Sequence, residues 1–152
     1  MKTKKASDIM TKDVIVINEM DTISNAASIL LREKISGLPV VDSENKVVGI
    51  ISETDIIKKN KIIESPRYFS FLENIVVYED LKKIEKDIKE IAAYKVGELM
   101  SKDIIKVNEE DSFDYIANLM IKKSINRVPV VDKENKIKGI ICRYDIIKSI
   151  YE

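Results

Sequence analysis

The chain has 152 residues, enough for one compact domain or two joined half-domains, and its 26 Lys and Arg balance 26 Asp and Glu. Zero net charge argues against nucleic-acid binding, and the lack of a membrane-spanning apolar stretch or signal core predicts a cytoplasmic protein without membrane attachment. The absence of histidine removes the commonest general base and the usual zinc ligand, while the single cysteine, Cys142, excludes an internal disulfide.

The sequence contains an internal repeat. Residues 8–58 align without a gap to residues 98–148 at an offset of 90, and 23 of the 51 paired positions are identical. Two copies of one unit predict a pseudo-twofold pair with equivalent clefts. We therefore predict a first repeat over residues 1–59, an insert over 60–95 and a second repeat over 96–152.

Both repeats predict the same elements in the same order. In the first, a helical turn at 7–10 precedes a β-branched strand at 14–17 and an amphipathic helix. Asp21-Thr22 offers the N-cap of this helix, as Asp111-Ser112 does in the second repeat. A strand at 38–41, a polar turn, a strand ending at Ile51 and a helix opened by Asp55 follow. The second repeat predicts a turn at 97–100, strands at 104–107 and 128–131, and a closing helix opened by Asp145. This pattern indicates an α/β (α+β) fold of two β-α-β-β-α repeats with small mixed sheets and a helical insert.

The insert between the repeats is predicted to be ordered. It has no glycine and one proline, Pro66, and it holds five of the nine aromatic residues of the chain. A charged amphipathic helix is predicted over about residues 79–93, with an apolar face at Leu81, Ile84, Ile88 and Ile91. The insert either packs on its own protein or forms a homodimer or partner surface, and the sequence leaves both open.

Each repeat closes with a motif of Gly, two apolar residues, three further residues and Asp. The motif is Gly49-Ile50-Ile51-Ser52-Glu53-Thr54-Asp55 in the first repeat and Gly139-Ile140-Ile141-Cys142-Arg143-Tyr144-Asp145 in the second. With the proline-containing second strands, these motifs make the chain resemble the tandem cystathionine β-synthase (CBS) domain pair, or Bateman module. The family has Ser or Thr where Cys142 stands, and a thiol is a weak hydrogen-bond donor.

The resemblance implies two ligand-binding sites and neither catalytic residues, metal ligands nor a catalytic cofactor. A carboxylate at a helix start accepts hydrogen bonds from both ribose hydroxyls, and the helix N-terminus favours a phosphate. In the family, each site joins an adenine slot from one repeat to the ribose aspartate of the other. One implied site comprises Thr11, Val16, Ile35, Ser36, Arg127, Ile140, Cys142, Arg143 and Asp145. The other comprises Ser101, Lys106, Ile125, Asn126, Gly37, Ile50, Ser52 and Asp55.

The two implied sites differ in charge. Arg127 and Arg143 stand where the first repeat has Gly37 and Glu53. We therefore predict that the site with Asp145 prefers a phosphorylated adenosine. The other site is predicted to prefer adenosine or an S-adenosyl compound, or to be empty.

Helix capping is the alternative explanation of both motifs. Ser52 and Asp55 have the spacing of a capping box, which needs no ligand. Cys142 makes a poor N-cap, so capping explains Asp145 less well, and the thiol itself is expected to be an inert core group. The two arginines are alternatively solvated or ion-paired.

The leading functional prediction is a sensor of AMP, ADP, ATP or S-adenosylmethionine. Such a module signals to an unknown downstream protein by changing its conformation or the geometry of a homodimer, and it is not an enzyme. The alternative is a dimerising protein-interaction scaffold whose ligand clefts are vestigial.

Overall fold

The computed structural model describes residues 3–59, 85–86 and 89–152. The first repeat contains α1 (Ala6–Ile9), β1 (Ile17–Asn18), α2 (Ile23–Glu33), β2 (Gly37–Val41), β3 (Val47–Ser52) and α3 (Glu53–Lys59). The second contains α4 (Val96–Leu99), β4 (Val107–Asn108), α5 (Phe113–Lys123), β5 (Arg127–Val131), β6 (Ile137–Cys142) and α6 (Arg143–Tyr151). The strands form two three-stranded sheets, ordered β1-β2-β3 and β4-β5-β6, so the predicted fold class is confirmed. No helix among the described residues is long and apolar enough to span a membrane.

The first strand of each repeat is shorter than predicted. Of the β-branched runs at 14–17 and 104–107, only Ile17 and Val107 lie in strands. β4 pairs with β5 in parallel over two positions, Val107 with Val130 and Asn108 with Val131. Strand propensity alone was misleading here, because a strand forms only where a neighbouring strand completes its hydrogen bonds.

The closing helices begin earlier than predicted. α3 begins at Glu53 and α6 at Arg143, so Asp55 and Asp145 stand third in their helices instead of opening them. The predicted insert helix at 79–93 lies mostly outside the described residues. Within it, residues 85–86 and 89–92 are helical, and Lys89 pairs with Glu85 at 3.1 Å.

The chain divides into two compact units, and each combines parts of both repeats. The first unit contains residues 1–16, 41–48 and 103–152, and the second contains residues 17–40 and 49–102. In the first unit, the Ala6 N–H donates to the Asp111 carbonyl at 2.8 Å, and the Phe113 N–H donates to the Lys4 carbonyl at 2.8 Å. In the second unit, the Val96 N–H donates to the Asp21 carbonyl at 2.8 Å. The backbone at each helical turn is therefore hydrogen-bonded to the segment that precedes the long helix of the other repeat.

The core of the first unit follows the helical and strand periodicities. Ile116 and Met120, one turn apart on α5, are buried beside the inward-facing residues of the sheet. α1 contributes Ala6, which is fully buried. The complete cluster is Ala6, Val107, Ile116, Met120, Val128, Val130 and Ile141. Burial of each large aliphatic side chain contributes about 1.5–3 kcal/mol, which holds α1 and the segment after it in place.

Candidate ligand-binding site

The backbone of Thr11 pairs with β6 in the first unit. The Thr11 N–H donates to the Ile140 carbonyl at 2.9 Å, and the Ile140 N–H donates to the Thr11 carbonyl at 3.0 Å. Gly139 permits this approach, because a Cβ at that position would overlap the Met10 side chain. The motif glycine therefore lets the segment after α1 lie against the strand that leads to Asp145.

Asp145 has one carboxylate oxygen engaged and one open. Its Oδ2 accepts a hydrogen bond from the Cys142 N–H at 2.7 Å. In the part of the chain that the structure describes, no group donates a hydrogen bond to its Oδ1. Because the side chain is only half-buried, this oxygen is available to a ligand hydroxyl.

Asp145 and Thr11 line an open cleft of about 410 Å³, a volume typical of small-molecule sites. The sequence did not indicate its other lining residues, Lys4, Asp8, Ile9, Met10, Lys148, Ser149 and Glu152. Helical spacing from Asp145 would have suggested Lys148 and Ser149, which follow it by three and four residues. No local sequence pattern indicated that Lys4 would line this cleft. Its Nζ donates to the carbonyl of Ser149 at 2.8 Å and to the hydroxyl at 3.1 Å.

Arg127 and Cys142 adjoin Asp145 at the junction of β6 and α6. Arg127 lies directly opposite Cys142 in the β5–β6 ladder. Burial raises the pKa of the Cys142 thiol above its usual value, and the charge of Asp145 adds to this effect, whereas Arg127 opposes it. The thiol is therefore protonated at neutral pH and unsuited to nucleophilic chemistry.

The remaining residues of the implied Asp145 site lie in different places. Val16 packs against the small cluster of Val41, Val47 and Val131 in the first unit. Arg143 lines a separate groove of about 370 Å³ between α5 and α6. Ile35 and Ser36 belong to the second unit, where the Ser36 carbonyl accepts the Glu53 N–H at 3.0 Å.

Asp55 accepts more hydrogen bonds from the described residues than Asp145 does. Its Oδ2 accepts the N–H and the hydroxyl of Ser52, each at 2.9 Å. Its Oδ1 accepts the Ser101 hydroxyl at 3.3 Å, and the backbone of Ser101 pairs with Ile50. The geometry of a capping box is thus present, and a ligand hydroxyl would compete with Ser101 for this carboxylate.

The other residues of the implied Asp55 site are divided between the units. Gly37 begins β2 in the second unit and is buried. Lys106, Ile125 and Asn126 belong to the first unit. There the Lys106 ammonium donates to the Asn135 side chain at 2.7 Å, and Ile125 packs against the core.

Replacing Cys142 with serine is expected to raise the free energy of unfolding by about 0.5–1 kcal/mol. The thiol makes no capping hydrogen bond, whereas the Ser52 hydroxyl accepts the Asp55 N–H at 3.3 Å and donates to its carboxylate. Urea unfolding measures the change. The matched exchange, Ser52→Cys, is expected to lower stability by a similar amount. Unchanged stability in both variants would show that the hydroxyl contributes nothing to either helix start.

Comparison with known proteins identifies the same repeat. The family model of the CBS domain matches residues 6–61 and 96–152. The chain is 33% identical over 151 residues to the uncharacterised protein MJ1426 of Methanocaldococcus jannaschii, covering 94% of this chain and 89% of that protein. It is 34% identical over 145 residues to the inosine-5′-monophosphate dehydrogenase of the same organism, covering 95% of this chain but 23% of the enzyme.

A solved structure extends the comparison to ligands. The CBS domain pair of protein MJ0100, solved in complex with 5′-methylthioadenosine and S-adenosyl-L-methionine, superposes with a TM-score of 0.68 at 27% identity. The match covers 97% of this chain and 96% of that chain. The two structures therefore share one fold over nearly their whole length.

Proposed function

Because the chain belongs to the CBS domain family and carries the domain twice, we propose that it is a regulatory module that binds an adenosine-containing ligand at Asp145. The adenosyl ligands of the MJ0100 pair support this ligand class. We propose regulation rather than catalysis. The dehydrogenase among the relatives is matched over 23% of its length, so its activity is not carried over to this chain.

The proposal rests on Oδ1 of Asp145, which accepts no hydrogen bond from the described residues. A ribose offers two adjacent hydroxyl donors, and a carboxylate beside them accepts both through charge-assisted hydrogen bonds. The Cys142 N–H already holds Oδ2 at 2.7 Å, so little side-chain entropy remains to be lost on binding. The cleft of about 410 Å³ next to this carboxylate has room for a nucleoside.

Charge favours different ligands at the two aspartates. Arg127 lies opposite Cys142, and a guanidinium forms strong paired hydrogen bonds with a phosphate. We propose that the Asp145 site takes a phosphorylated adenosine. At Asp55 both carboxylate oxygens already accept hydrogen bonds, so binding there is weaker. The first repeat has Gly37 and Glu53 in place of Arg127 and Arg143, so an adenosine or S-adenosyl ligand without phosphate is favoured at Asp55.

The proposal predicts that an adenosine compound raises the melting temperature of the protein. The panel is AMP, ADP, ATP, S-adenosylmethionine, 5′-methylthioadenosine and NAD, each measured by thermal unfolding of the full chain. A ligand at a hundredfold excess over its dissociation constant adds about 2.7 kcal/mol, which corresponds to roughly 5–10 °C in a chain of this size.

Two matched ligands test which groups are recognised. GMP tests the base, and 2′-deoxy-AMP tests the ribose hydroxyls that Asp145 is proposed to bind. Loss of one of two such hydrogen bonds is expected to weaken binding by about tenfold or more. Equal affinity for AMP and 2′-deoxy-AMP would contradict the role of Asp145. No shift with any compound of the panel would overturn the sensor function and favour the scaffold.

A further inference from the structure

Ser101 and Thr11 occupy equivalent positions of the two repeats, 90 residues apart. Each pairs through its backbone with the strand that leads to a motif aspartate, and the two hydrogen bonds measure 2.9 and 3.0 Å at both places. The side chains nevertheless differ. The Ser101 hydroxyl donates to Oδ1 of Asp55 at 3.3 Å, whereas no described residue receives a hydrogen bond from the Thr11 hydroxyl. The contact with Asp55 is therefore particular to the Ser101 side chain and is not a consequence of the shared backbone arrangement.

The two motif aspartates differ in how many acceptor positions are occupied. An ionised carboxylate has about four lone-pair positions that accept hydrogen bonds. Among the described residues, three donor groups reach Asp55: the N–H and the hydroxyl of Ser52 and the hydroxyl of Ser101. One described donor, the Cys142 N–H, reaches Asp145. The two hydroxyls of a ribose need two positions, which are open at Asp145, whereas at Asp55 one of the serine hydroxyls must first leave.

Ser101 is the more easily displaced of the two serines at Asp55. Its hydroxyl lies 3.3 Å from Oδ1, whereas the Ser52 hydroxyl lies 2.9 Å from Oδ2 and also accepts the Asp55 N–H. The longer hydrogen bond is the weaker one. Ser101 is exposed, so its hydroxyl can exchange the carboxylate for water at little cost. Its backbone remains paired with Ile50, so displacement requires only a rotation about χ1.

We propose that the Ser101 hydroxyl is a built-in competitor of the ribose at Asp55, and that it sets the order in which the two sites fill. This inference rests on the proposed function, because it takes Asp55 to bind a ribose as Asp145 does. An adenosine compound fills the Asp145 site first, where no described hydroxyl reaches the carboxylate. The Asp55 site fills at a higher concentration, when the ribose displaces Ser101 from Oδ1. One chain therefore responds to its ligand over two concentration ranges.

Removal of the Ser101 hydroxyl tests the competition. Calorimetry follows the binding of 5′-methylthioadenosine, which has no phosphate, to the full chain carrying Asp145→Asn, so that Asp55 is the remaining ribose site. Adding Ser101→Ala is expected to tighten binding about three- to tenfold, the effect of one net hydrogen bond. Adding Asp55→Asn as well is expected to cancel this gain, because the carboxylate is gone. Ser28→Ala, at an exposed serine of α2 in the same unit, is the matched control and is expected to leave the affinity unchanged.

The outcomes separate this inference from the proposed function. A gain of affinity that depends on Asp55 supports the competition, because a merely structural role of Ser101 would weaken binding or leave it unchanged. Binding of AMP that Asp145→Asn weakens, together with no gain from Ser101→Ala, would overturn the competition and leave the proposed function in place. A gain that persists after Asp55→Asn would also overturn it. No binding of AMP or 5′-methylthioadenosine by the wild-type chain or by any variant would overturn both.

Discussion

Replacing Gly49 with alanine is expected to lower the free energy of unfolding by about 3 kcal/mol. A Cβ at this position would lie 2.8 Å from the Ser101 carbonyl oxygen and 2.6 Å from the Met100 sulfur. The carbonyl cannot rotate away, because it accepts the Ile50 N–H at 3.0 Å. Relief of the overlap would break that pairing and draw the Ser101 hydroxyl away from Asp55. Urea unfolding at equilibrium measures the loss.

Gly139→Ala is the matched control, since it stands at the same motif position in the other repeat. A Cβ there would meet the Sδ, Cγ and Cβ atoms of Met10. Another rotamer moves Sδ and Cγ away, whereas the Met10 Cβ stays at 3.0 Å, a contact that is only slightly too close. We expect a loss of about 1 kcal/mol, largely removed by adding Met10→Ala. Adding Met100→Ala to Gly49→Ala is not expected to help, because the Ser101 carbonyl remains. Equal losses at the two glycines would contradict this steric explanation.

The order of elements could be predicted because it depends on local patterns. The apolar spacing of α2 and α5 is visible in consecutive residues of the sequence, and so are their N-caps. The side chains of Thr22 and Ser112 accept the capping hydrogen bonds. The first strands were overestimated for the opposite reason. β4 pairs with β5 only at Val107 and Asn108, although β5 itself runs from Arg127 to Val131, and a run of Val and Ile carries no information about where such pairing begins.

The candidate site was only partly predictable from the residues. The motif aspartates, and the resemblance of the chain to a known family, predicted that Thr11 lies near Asp145 and Ser101 near Asp55. The structure brings each of these pairs together. The contribution of Lys4 could not be predicted, because its contact with Ser149 joins residues that are 145 positions apart. The difference in hydrogen bonding between the two aspartates also required three-dimensional geometry, since Ser101 reaches Asp55 across the backbone pairing with Ile50.

Replacing Asp145 with asparagine is expected to weaken binding of the compound of the panel that binds most tightly by about 100-fold. The ligand loses two charge-assisted hydrogen bonds, and the amide that remains offsets part of this loss. The amide oxygen can still accept the Cys142 N–H that Oδ2 accepts at 2.7 Å, so helix capping is retained. The amide NH₂ then replaces the open Oδ1, and a ribose hydroxyl loses its acceptor. Isothermal titration calorimetry measures the affinity and the number of sites.

Asp55→Asn separates a ligand role from a capping role. Its carboxylate is held by Ser52 and Ser101, so this variant is expected to lose about 1 kcal/mol of stability and to bind the same compound within about twofold of the wild-type affinity. The two substitutions thus predict opposite outcomes, with affinity lost at Asp145 and stability lost at Asp55. Equal loss of affinity in both variants would mean that the aspartates contribute alike to the bound ligand. Unchanged affinity in Asp145→Asn would show that Asp145 does not bind the ribose. There would then be no reason to assign the ligand to this cleft.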